Sequence, residues 1–68
     1  MAPRGFVDIE GWIIRETDAA ILLEVDEAKD QTGGEFWLPK AEIQTTDLGY
    51  GMVKVLVPEW LAVKKDMI

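Results

Sequence analysis

Two short segments constrain this chain more than anything else in it: Phe36-Trp37-Leu38-Pro39-Lys40 and Val57-Pro58-Glu59-Trp60-Leu61. In each, an apolar run meets a proline and then a stretch of helical character. Proline fixes φ and supplies no N–H, so it is accepted at the start of a helix and excluded from the middle of a central strand. Each segment therefore marks where a strand stops and a turn or helix begins. A tryptophan stands beside both breaks.

The rest of the pattern is organised around these two stops. Val7, Ile9 and Ile13 alternate with Asp8 and Glu10, the period of a half-buried strand. The alternation slips at Gly11, where Trp12 and Ile14 take the other phase, and a glycine at a slip predicts a bulge or sharp bend. Thr17-Asp18 reads as a turn, after which Ala19, Ile21, Leu23 and Val25 resume the alternation and complete a hairpin. Residues 26–34 are polar and end in two glycines, hence a loop. Residues 35–38 form a third strand, residues 39–43 a single helical or 3-10 turn, and residues 45–51 a second loop. A fourth strand covers residues 52–57, with Val53, Val55 and Val57 facing in. From Pro58 the period becomes helical, placing Trp60, Leu61, Lys64, Met67 and Ile68 on one side. The expected fold is mainly β (α+β), a single domain over residues 1–68. It is a four-stranded, strongly bent antiparallel sheet or partial barrel plus a C-terminal helix.

A 68-residue chain sits near the lower limit of what folds without staples, and no cysteine is present to supply one. Yet 49% of its residues are hydrophobic, and each of three tryptophans brings roughly 150–250 Å² to be buried. A homodimer resolves that mismatch, with Trp12, Trp37 and Trp60 as core or dimer-interface residues. Thirteen acidic against seven basic side chains give a net charge of −6, which repels a nucleic-acid backbone and suits docking to a basic protein surface. No apolar run approaches the roughly 20 residues of a membrane span, and residues 1–5 lack the apolar core of a signal peptide. A reducing, intracellular compartment follows from the cysteine count.

The chemistry-bearing residue types are mostly missing. Histidine, cysteine and serine are all absent, which removes the commonest general base, the commonest metal ligands and two of the commonest nucleophiles. Asp26, Glu27 and Asp30 crowd one loop, but their spacing matches no EF-hand, and a solvated acidic loop is the expectation. No catalytic residue, metal site or cofactor is assigned. A metal-dependent nuclease is the enzymatic alternative, requiring carboxylates to converge. An aromatic face of Trp12, Trp37, Tyr50 and Lys54 is the alternative for nucleic acid, because curved sheets bind single strands by stacking.

Trp37-Leu38-Pro39-Lys40-Ala41-Glu42-Ile43, followed by the segment from Val57 through Trp60-Leu61 to Lys64-Lys65, resembles a signature of small phage and prophage proteins. In that signature a tryptophan–proline–lysine–serine turn precedes a final proline, tryptophan, leucine and lysine; here Ala41 stands in place of the serine. The ββββα plan is also similar to the dimeric PC4-like single-strand-binding fold, which includes at least one small anti-CRISPR protein. The resemblance implies a non-catalytic interaction module in the cytoplasm of a bacterial host, inhibiting a defence-system protein. Its partner contacts are expected at Asp26, Glu27, Asp30, Glu35 and Asp47. The alternative it implies is a dimeric PC4-like single-stranded DNA-binding accessory protein.

Overall fold

Val7, Ile9, Gly11 and Ile13 all turn to one side of an eleven-residue strand, β1 (Phe6–Glu16), and that side is the core. The computed structural model describes residues 4–27 and 32–68. Thr17 turns the chain into β2 (Ala20–Val25): its hydroxyl accepts from the Ala20 amide at 3.0 Å, and its own N–H donates to the Ala20 carbonyl at 2.8 Å. β3 (Gly34–Pro39) runs into a 3-10 turn over Lys40–Glu42, then come β4 (Gln44–Gly49), β5 (Met52–Pro58) and helix α1 (Glu59–Lys64). All pairings are antiparallel, in the order β3-β2-β1-β5-β4.

The sheet has five strands where the sequence pattern suggests four. The extra one, β4, occupies most of the segment read as a second loop. All six of its residues are exposed, so no apolar alternation marks it, and only β-branched Thr45 and Thr46 hint at a strand. The sheet is open, ending on β3 at one edge and β4 at the other. The 3-10 turn carries the chain from edge to edge, held by Lys40 N–H to the Ala19 carbonyl and by the Lys40–Glu16 ion pair at 2.6 Å.

Both prolines close their strands from the last strand position. Pro39 pairs across from Ala20, and Pro58 across from Phe6. The β4–β5 connection is a two-residue turn, Tyr50-Gly51, with φ of 56° and 79°, the left-handed pair of a type I′ hairpin. The Asp47 carboxylate accepts the Gly49 N–H at 2.8 Å beside it, where Leu48 is bulged out of the ladder.

The bulge expected at Gly11 lies three residues later, between Ile13 and Arg15. Gly11 has a different reason. A Cβ there would lie 2.2 Å from the Glu24 carbonyl oxygen, so β2 passes too close for any side chain. Pairing also changes hands here: Phe6 to Trp12 pair with β5, and Trp12 to Glu16 with β2.

The core is one cluster built from Ile9, Ile21, Leu23, Val25, Leu38, Val55 and Val57 on the sheet, capped by Leu61, Ala62 and Met67. The helix is shorter than its sequence period suggests, and its buried residues differ: Trp60, Lys64 and Ile68 are exposed, while Ala62 is fully buried. A Schellman motif ends it. Asp66 N–H reaches the Val63 carbonyl at 3.1 Å, Met67 N–H reaches Ala62 at 2.9 Å, and Asp66 sits at φ 59°. The reversal throws Met67 back into the core.

Two outcomes follow from this geometry. Gly11→Ala should lower stability by about 3 kcal/mol, the upper end of overpacking, because backbone must move to admit the methyl; urea titration followed by circular dichroism measures it. Asp66→Gly should raise stability by about 0.5–1 kcal/mol, since glycine adopts the left-handed C′ position without a Cβ clash; thermal melting of the two proteins side by side checks it.

Candidate interaction surface

Residues that alternate with the core strand by strand make a second face, and among the described residues no helix packs on it, since the buried residues of α1 all join the inner cluster. The ladder registers place its members. Trp12 on β1 stands across from Met52 on β5 and from Glu24 on β2, and Glu24 in turn stands across from Glu35 on β3. One step along, Arg15, Leu22 and Trp37 form the next row. On the other side, Glu10 is across from Lys54, and Lys54 from Thr46. Directly opposed side chains have Cβ atoms roughly 4.5–5.5 Å apart, so each row is contiguous. Leu22 retains only 8% of its exposure although it lies on this outer face, while Trp37 keeps 43%. The outer face is thus an apolar band of Trp37, Leu22, Trp12 and Met52, crossed by carboxylates.

The tryptophans are not core residues. Trp37 and Trp60 are exposed and Trp12 is half-buried. Trp12 and Trp37 share the outer face. Trp60 lies apart, in a recess bounded by Phe6, Pro58 and the segment 41–44. A small domain fills its interior with branched aliphatics here, because the space between one face of the sheet and a six-residue helix suits Val, Ile and Leu better than an indole.

The acidic candidates divide. Asp26 and Glu27 are exposed just beyond β2, and Glu35 is exposed on β3, so these three lie on the same side of the sheet order. Asp30 lies outside the described residues. Asp47 is on β4, the opposite edge, and its carboxylate is engaged by the Gly49 N–H. The candidate nucleic-acid face divides too: Trp37 is on edge strand β3, Lys54 on β5 and Tyr50 at the tip of the β4–β5 hairpin, with Glu24 and Glu10 between them on the outer face. Among the described residues, no three His, Cys, Asp or Glu side chains converge as metal ligands. A cleft of about 220 Å³ opens beside Ile13, Ile21, Ile43 and Thr45, and its charged residues, Glu16 and Lys40, are paired with each other. No helix among the described residues is long and apolar enough to cross a membrane.

Glu24 emerges only with the register. Its outward direction was legible from the β2 alternation, but its position opposite Glu35 depends on a pairing across a polar loop. Trp60→Ala should cost about 1 kcal/mol or less, far below the roughly 3–5 kcal/mol of a core tryptophan; a thermal melt against the parent reads the difference. No protein-family model matches the chain, and comparison with curated proteins and with solved structures likewise found no match.

Proposed function

We propose that this chain is a non-catalytic interaction module that docks onto a basic protein surface through the outer face of its sheet. The observation that carries the reading is the outer-face band of exposed Trp37 and half-buried Trp12 and Met52 over buried Leu22, rimmed by Glu24, Glu35 and Glu10. Exposed tryptophan on a rigid sheet is the kind of residue that concentrates binding energy at interfaces. The net charge of −6 adds long-range attraction to a basic partner and raises the encounter rate. Proteins that handle nucleic acid offer such basic grooves, and carboxylates on a small module occupy them where phosphates would lie. The resemblance of the Trp37–Ile43 segment to phage proteins makes a bacterial defence complex the partner class, with inhibition of an anti-CRISPR type as the outcome.

A homodimer is the second reading. It is favoured by the large apolar side chains that the described residues leave exposed, among them Ile14, Trp37, Trp60, Val63 and Ile68. Light scattering on the preparation used for binding separates a free outer face from one occupied by a second copy.

The deciding experiment measures association of the chain with purified, immobilised CRISPR effector complexes at increasing salt. Association should slow by about tenfold or more as salt rises, with dissociation little changed, the signature of charge steering. Trp37→Ala should speed dissociation while leaving the fold intact. Loss of neither rate on these changes, or tight binding of the parent to single-stranded oligonucleotides at about 150 mM salt, would replace this reading with the nucleic-acid one.

A further inference from the structure

We propose that the β2–β3 half of the outer face is a receptor for an arginine side chain presented by a protein partner. This rests on the docking reading above and names the chemistry of what docks. Glu24 and Glu35 are directly opposed in the β2–β3 ladder and both are exposed. Like charges so placed repel each other, and a sheet carries such a pair at a cost. Among the described residues, no lysine or arginine forms an ion pair with either carboxylate; the nearest cations by register, Arg15 and Lys54, stand across from Leu22 and Glu10.

An indole flanks each carboxylate. Trp12 is across from Glu24, and Trp37 is two residues along β3 from Glu35, on the same face. Leu22, 8% exposed, lies across from Trp37 and supplies an apolar floor. Two anions side by side, each next to an indole, complement a planar cation. A guanidinium bonds two carboxylates through its fork of N–H donors while its face stacks on an indole; an ammonium offers a point charge and no face. Phosphate backbones and anionic lipid surfaces are turned away by the same carboxylates.

The probe is a short glycine–arginine repeat peptide, with lysine and citrulline versions as comparators, titrated at low salt into the isotope-labelled chain. The arginine peptide should shift the indole N–H signals of Trp12 and Trp37 saturably and leave that of Trp60 unmoved. It should bind about tenfold tighter than the lysine peptide, a difference of about 1.4 kcal/mol. Glu24→Gln with Glu35→Gln should weaken it by about tenfold or more, whereas Asp18→Asn with Glu42→Gln, which removes equal charge elsewhere, should change it less than about twofold. The Glu24/Glu35 pair of substitutions should melt no lower than the parent, because it relieves a repulsion, so failure to fold does not confound the result.

Equal affinity for arginine and lysine peptides, or equal loss in the two double variants, overturns the site in favour of diffuse charge attraction. A concentration-dependent dimer that Arg15→Gln abolishes, with no peptide binding, overturns it in favour of a second copy as occupant. If a defence complex binds the Glu24→Gln/Glu35→Gln chain as tightly as the parent, the receptor falls while docking stands. If the peptide binds as described but no defence complex does, the receptor stands and the functional reading falls.

Discussion

The structure depends on one strand serving two ladders. β1 gives its first half to β5 and its second half to β2, and Trp12 is the residue paired on both sides. A strand shared in this way joins β2 and β3 to β5 and β4 in one open sheet, with the core on one face and no second sheet among the described residues to pack against. The price appears at Gly11, where the β2 backbone comes within 2.2 Å of the place a Cβ would occupy. The core gathers around that approach: Ile9 and Ile13 flank the contact, Leu23 and Val25 arrive from β2, and Val55 and Val57 from β5. Helix α1 and the returning Met67 then cover this core with Leu61, Ala62 and Met67.

The two faces of the sheet are unlike in kind. The inner face is mostly aliphatic, with Phe36 packed against it, and has no buried polar or charged residue among those described. The outer face carries Trp12, Trp37, Met52 and most of the charge that the ladders align. A domain of this size has little interior, and branched aliphatics fill it at native density with well-defined rotamers. Indoles are too bulky for that space, so they sit where a partner can complete their burial. The division turns the usual association of tryptophan with core on its head, and it couples the stability of the domain only weakly to the composition of its outer face.

Much of the inner architecture was legible in the residues. The alternations at Val7–Ile13, Ile21–Val25 and Val53–Val57 gave the strands, their inward faces and the first hairpin. Pro39 and Pro58 marked both strand ends. What escaped had no local signal. β4 is exposed on every residue, so its strand character comes from pairing with β5 and from the tight turn at Tyr50-Gly51. The buried face of α1 was misassigned because the helix stops at Lys64 and reverses, so Met67 reaches the core by a left-handed turn at Asp66 in place of helical period. The candidate surface was half legible: Trp12, Trp37 and Glu35 were picked out one by one, but only the β2–β3 register reveals that Glu24 completes them.

Placement of the indoles also sets what the molecule reports spectroscopically. All three tryptophans meet solvent in the folded chain, and the lone tyrosine, Tyr50, projects fully from the hairpin tip. Melting the domain moves neither Trp37 nor Trp60 out of a dry interior, so a change in intrinsic emission between native and unfolded chains comes mainly from half-buried Trp12. Covering the outer face takes water away from Trp12 and Trp37 without disturbing the fold. In this protein the exposed indoles are poor reporters of unfolding and good reporters of company.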